Sequence, residues 1–135
     1  MFYEFRQNNS GGSFTVDQER GISRSVIIEA TDHIHANYLA GRLGIYFDGV
    51  DQGNDCSCCG DRWYKVSEGD RCEVPAHYRI PLVDAETFFH AFLEEGTPSL
   101  YVHLLDGMVF PFHVHEKRFV YLGADLPVGI LGEES

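Results

Sequence analysis

No stretch of this 135-residue chain approaches the roughly 20 consecutive apolar positions that a membrane-spanning helix needs, so an integral membrane segment of that kind is excluded. The opening MFYEFRQ lacks the basic region, apolar stretch and small-residue cleavage site of a secretory signal, which makes an intracellular location the expectation. Basic side chains are scarce: 10 Lys and Arg stand against 21 Asp and Glu, a formal charge of −11 that repels phosphate backbones and argues against direct nucleic-acid binding. No internal repeat, low-complexity block or long Pro/Gly/Ser linker divides the chain. A single domain over 1–135 is therefore expected, with residues 131–135 a fraying tail.

What is present alternates between strand and helix signals. Residues 2 to 7 alternate Phe2/Glu4/Arg6 against Tyr3/Phe5/Gln7, and the polar run Asn8 to Ser13 precedes Phe14-Thr15-Val16, a hairpin pattern. Ser25 to Ala30 is β-branched and continuously apolar at its centre, as in a strand covered on both faces. Thr31 or Asp32 can cap a helix carrying Ile34, Tyr38, Leu39 and Leu43, ended by Gly44. Ile45 to Phe47 and Arg62 to Val66 read as strands either side of a long polar loop, Asp48 to Asp61. A second helix is predicted from a cap at Asp84, a Val83–Phe88 staple and a Phe88/Phe92 seam to a stop at Gly96 and Pro98. Asp106-Gly107 marks a hairpin between Ser99–Leu105 and Met108–His115, and Phe119 to Leu122 adds a strand. The expected fold class is α+β: a mostly antiparallel sheet, two helices and one long Cys-rich loop.

The four cysteines carry the most specific chemistry. In an intracellular protein they remain reduced, so metal binding is a better reading than disulfides. Cys56, Cys59, Cys72 and His77 have the spacing C-x2-C-x12-C-x4-H of a closed tetrahedral zinc site, structural rather than catalytic, with Cys58 as an alternative ligand. The metal would order a long polar loop, because binding free energy is also ordering free energy. Asp48, Asp51 and Asp55 fail the calcium-loop pattern, since its twelfth position falls on Cys59. His33, His35 and His90 read as solvated. A two-residue turn at Asp106-Gly107 pairs His103 with Phe110, on the face opposite His113 and His115, which excludes a histidine triad. No complete catalytic set stands out.

Three blocks, YEFRQNNSGGSF at 3 to 14, IYFDGV at 45 to 50 and DCSCCGDRWY at 55 to 64, resemble a family of small uncharacterised proteins of tailed bacteriophages. The resemblance implies no activity. Arg6, Gln7, Asn8, Asn9, Ser10, Gly11, Gly12, Tyr46, Phe47, Asp48, Gly49, Cys56, Cys58, Cys59, Gly60, Asp61, Arg62 and Trp63 match the family pattern. Of these, Arg6, Asn8, Asn9, Ser10, Gly11, Gly12, Asp61, Arg62 and Trp63 are the candidate binding residues, and the host cell cytoplasm is the expected location. The expectation is then a non-enzymatic phage accessory protein, metal-stabilised and acting on a host or phage protein. The alternative is a nucleotide-sequestering protein, with Arg6 and the Gly11-Gly12 turn at the anion and Trp63 or Tyr3 stacked on the base. A metal-dependent hydrolase using Asp61 or His113 is a further class.

Overall fold

A computed structural model describes residues 1–8, 14–87, 97–123 and 130. Its centre is a five-stranded mixed sheet of order β1-β2-β5-β6-β7, from strands Phe2–Arg6, Ser25–Glu29, Leu100–His103, Val109–His115 and Arg118–Tyr121. A separate two-stranded ribbon joins β3 (Ala76–His77) to β4 (Ile80–Pro81). The β2–β5 pair is parallel and the other neighbours are antiparallel. One α-helix, α1 (His33–Leu43), and one 3-10 turn, Glu68–Asp70, are the helical elements among the described residues.

The run Val26 to Ile28 is apolar throughout because the sheet carries a core on each face. Val26 and Ile28 join Tyr3, Phe5, Trp63 and the α1 residues Ala36 and Ala40 on one side. Ile27 joins Leu100, Val102, Phe110, Phe112 and Phe119 on the other. Asp32 caps α1 by accepting from the His35 N–H at 2.8 Å, and Gly44 ends it with φ 108°. The helix buries Ala36 and Ala40, with Leu39 and Leu43 beside them, whereas Ile34 and Tyr38 point outward, 68% and 60% exposed. Small residues at the contact bring the helix backbone close to the sheet, so the larger side chains flank the seam instead of forming it.

The fold is mostly β, and the two-helix α+β expectation is corrected. No helix opens at Asp84 among the described residues: Glu86 bridges Arg118 and the Thr87 N–H donates to the Lys117 carbonyl at 2.8 Å, so the chain leaves Asp84 extended along β7. The remainder of the predicted second helix, 88–96, lies outside the described residues. The predicted hairpin of 2–7 with 14–16 is also replaced. β1 pairs β2 in the register Tyr3↔Ile28 and Phe5↔Val26, while Phe2 exchanges backbone bonds with Cys72 at its other edge. Gln7 holds the 14–16 segment by side chain, donating to the Thr15 and Ser23 carbonyls at 2.9 and 3.0 Å and accepting from the Thr15 N–H at 2.5 Å. Neither Ile45–Phe47 nor Arg62–Val66 forms a strand.

The β5–β6 hairpin stands where Asp106-Gly107 placed it, but its register is shifted by one. His103 pairs Val109, and the loop closes through the Leu104 N–H on the Met108 carbonyl at 2.9 Å. His103 therefore shares a face with His113, yet His113 lies four residues along β6 from Val109, about 13 Å away. The triad is still excluded, now by distance rather than by face.

Gly21 shows how tightly this side of the sheet is closed. It has φ 70°, and a Cβ there would stand 2.7 Å from His103 Cε1 and 3.0 Å from Val109 Cγ1. Gly21→Ala is expected to cost about 2–4 kcal/mol, the left-handed penalty plus overpacking, read as a lowered urea midpoint. An unchanged midpoint would show that neighbouring backbone absorbs the added methyl group.

Candidate metal centre

The loop from Asp48 to Asp61 is held by its own polar groups, by the residues that flank it and by the chain that follows β1. Asp55, its side chain only 1% exposed, accepts from the Tyr46 hydroxyl at 2.7 Å and the Arg62 N–H at 2.8 Å, and Arg62 Nε stands 3.8 Å away. Burial, and then the bond to Asp55, raise the Tyr46 phenol above its ordinary value. Gly49 packs onto the same carboxylate: a Cβ would lie 1.9 Å from Asp55 Oδ2. Asp61 Oδ1 accepts from the Val50 N–H at 2.9 Å. Asn8 bridges from the end of β1, its Nδ2 donating to the Cys59 carbonyl at 2.6 Å and the Asp61 carbonyl at 3.2 Å. Arg62 Nη1 donates to Gln7 Oε1 at 2.7 Å, and Trp63, 2% exposed, seats the end of the loop in the α1-side core.

On this frame residues 56–60 form a tight turn, with the Cys59 and Gly60 N–H groups both donating to the Cys56 carbonyl at 3.3 and 3.2 Å. Gly60, with φ 85°, carries the chain out of the turn. Three thiols converge as a result: the sulfurs of Cys56, Cys58 and Cys59 all lie within 4.8 Å of one another, and all three residues are exposed. Cys58 and Cys59 Sγ are 3.6 Å apart, close to the spacing of about 3.8 Å between two sulfurs 2.3 Å from one tetrahedral ion. The thiol and N–H of Cys58, followed by the N–H of Cys59, lower the Cys56 thiol below its usual value. The same bonding, to Cys56 first and Cys59 second, pushes Cys58 up to about 11. A cation would displace these shared protons, since metal ligands bind as thiolates. The group can hold a metal ion.

The ligand set predicted from spacing is thereby redrawn. Cys56 and Cys59 stand together, and Cys58, the alternative, is a full member, whereas Cys72 and His77 are not in the group. Cys72 is fixed by its backbone pairing with Phe2, and burial raises its thiol. His77, 2% exposed, has Nδ1 2.5 Å from Glu4 Oε2. The x12 spacing crosses from the loop to the far edge of β1, so residues that fit a sequence pattern lead to separate places.

The candidate binding residues also change meaning. Asn8, Asp61, Arg62 and Trp63 hold the cysteine turn in position. Arg6 pairs with Glu4 at 2.9 Å and lies over the Tyr78 ring, 4.2 Å from its centroid. Asn9, Ser10, Gly11 and Gly12 lie outside the described residues. Trp63 and Tyr3 are core residues, so neither offers a face for stacking on a base. The sequence reading missed Gln7, Tyr46 and Asp55 as supports of the loop. For Asp55 the available signal was its place between the YFDG and CxCC blocks.

Fold and site together define a small, mostly β domain that carries an exposed three-thiol turn braced by buried polar side chains. The chain belongs to the family described as a domain of unknown function (DUF7296), which it matches over residues 1–120. The match spans the cysteine turn and the whole five-stranded sheet except its last residue, Tyr121. No curated protein and no solved structure matches the chain. Among the described residues no helix is long and apolar enough to cross a membrane.

Proposed function

We propose that this domain is a non-enzymatic binding module of tailed-phage origin, in which Cys56, Cys58 and Cys59 hold a zinc ion that gives the 48–61 loop its final shape for docking on a host or phage protein. The observation that carries this reading is the convergence of three exposed thiols on a turn braced by the buried Asp55 carboxylate and by Asn8, Arg62 and Trp63. Three thiolates on borderline-soft Zn2+ leave one position of a tetrahedron, which a group from the docked partner, a water or another side chain of this chain can complete. Nucleotide sequestration has less support, because its stacking residues lie in the core.

Cobalt titration of the reduced protein tests the metal step. A thiolate-to-cobalt band in the near ultraviolet with tetrahedral d–d absorption, one ion per chain, and displacement of cobalt by Zn2+ are the expected results. Cys56→Ser, Cys58→Ser and Cys59→Ser should each weaken binding by at least about tenfold, while Cys72→Ser leaves it unchanged. A Cys72→Ser loss equal to the others, or no charge-transfer band, overturns the three-thiol site. For the docking step, cross-linking of the metal-loaded protein in infected cells should trap a partner through the 48–61 loop. Cross-links confined to other faces refute it.

A further inference from the structure

The parallel pair β2–β5 has its carboxyl ends side by side, with β2 leading to α1 and β5 leading into the 104–108 turn. Parallel neighbours whose following segments diverge open a crevice at that end of a sheet, the usual place for a ligand in open sheets. Here the crevice is a cleft of about 820 Å³, within the range of small-molecule sites. Ile28, Leu39, Leu43 and Leu104 give it apolar walls, Glu19 and Glu29 contribute carboxylates, and the exposed guanidiniums of Arg20, 3.7 Å from Asp17, and Arg42, on the Tyr38 hydroxyl at 3.2 Å, stand at its rim as cations. It shares no residue with the cysteine turn.

His103 supplies the directional element. Only 8% exposed, it lines the cleft with Nε2 2.7 Å from the Gly21 carbonyl. A carbonyl only accepts, so Nε2 carries the hydrogen and Nδ1 of the neutral ring is an acceptor. Among the described residues no group bonds Nδ1. Burial, which outweighs the bond to Gly21, lowers the His103 pKa and keeps the ring neutral. Gly21 is what allows this approach, since any Cβ there would collide with the imidazole. Glu29 is positioned too, its Oε1 accepting from the Leu105 N–H at 2.9 Å.

We infer that this cleft binds a small zwitterion with an apolar body bearing one N–H or O–H donor, which in chemical class is a free aromatic amino acid. The carboxylate belongs with Arg20 and Arg42, the ammonium with Glu19 and Glu29, the ring against the leucines and its donor on His103 Nδ1. Balanced charges around apolar walls select against simple anions and simple cations alike. A donor left without its acceptor, or a charge without its partner, loses about tenfold or more in affinity.

Four probes test each part by amide chemical shifts of Leu39, Leu43, Leu104 and Val109 in the full chain. L-Tryptophan carries all three groups, L-phenylalanine lacks the donor, indole-3-propionate lacks the ammonium and tryptamine lacks the carboxylate. Saturable shifts with L-tryptophan at millimolar concentration are expected, with each of the others about tenfold weaker or more. Glu29→Gln keeps the acceptor for Leu105 and should weaken L-tryptophan while leaving indole-3-propionate unchanged. A tryptophan-ended dipeptide, which loses one of the two charged groups of the tryptophan to the peptide bond, should bind more weakly than the free amino acid, and tighter binding by the dipeptide overturns the inference. The inference is overturned by no saturable shift with L-tryptophan, by equal binding of all four probes, or by a Glu29→Gln effect equal for both ligands. None of these results bears on cobalt binding at the thiols.

Discussion

Glu4→Ala is expected to destabilise the protein by about 3–5 kcal/mol, seen as a lowered urea midpoint at unchanged slope. The Glu4 carboxylate is 7% exposed and ties three strands together. Its Oε2 accepts from Ser25 Oγ and His77 Nδ1, each at 2.5 Å, and its Oε1 from the Tyr78 N–H at 3.0 Å and Arg6 at 2.9 Å. Alanine leaves the buried Ser25 hydroxyl and His77 ring facing a void, which costs far more than the loss of a surface pair. Burial by itself would raise the Glu4 carboxyl, but the bonds from His77, Ser25 and the Tyr78 N–H outweigh it and hold the carboxyl below its ordinary value. A depressed native value means that the stabilisation is complete above the unfolded glutamate value of about 4.3 and is lost as pH falls through the native one. Glu4→Gln should therefore flatten the acid limb of a stability-against-pH curve. A limb of unchanged steepness would show that other carboxylates govern acid unfolding.

Asp55→Ala is expected to reduce cobalt affinity by about 10–100-fold while leaving all three thiols in place, because it removes the support and not a ligand. The same variant should lose about 3 kcal/mol or more of stability, since Tyr46 and Arg62 both lose a buried partner. Asp55→Asn retains an acceptor but not the charge and should fall between the parent and alanine. Paired cobalt and urea titrations of the three proteins check the order. If alanine lowers stability without weakening cobalt binding, the turn is shaped by its own backbone bonds and Asp55 has no part in the site.

Elements whose signals are local were legible in the sequence. The cap at Asp32, the stop at Gly44, the buried run Ser25 to Ala30 and the hairpin around Asp106-Gly107 each rest on residues a few positions apart and are present, the hairpin with its register one residue from the expected one. What was not legible depended on partners far along the chain. Nothing near Phe2–Arg6 says that Ser25–Glu29 rather than Phe14–Val16 will pair with it, and nothing near Glu4 announces His77, 73 positions away. Asp84 carried every local sign of a cap, but its successors join the outer strand of the sheet, where ladder bonds replace helical ones. The cysteine site was half legible for the same reason. Cys56 and Cys59 follow from a short turn, whereas Cys72 and His77 were chosen by spacing and belong to another edge of the sheet.

The connection from Cys72 to Thr87 reaches both outer strands of the five-stranded sheet, bridging Phe2 at one flank and Arg118 at the other. Unpaired outer strands are templates on which foreign chains add. One stretch of chain thus covers one end of each flank, at Phe2 and at Arg118, where a foreign strand would otherwise begin to pair. A cut within it should raise the tendency of the protein to form intermolecular β-assemblies, read as thioflavin-positive aggregate in the cut chain against the intact one.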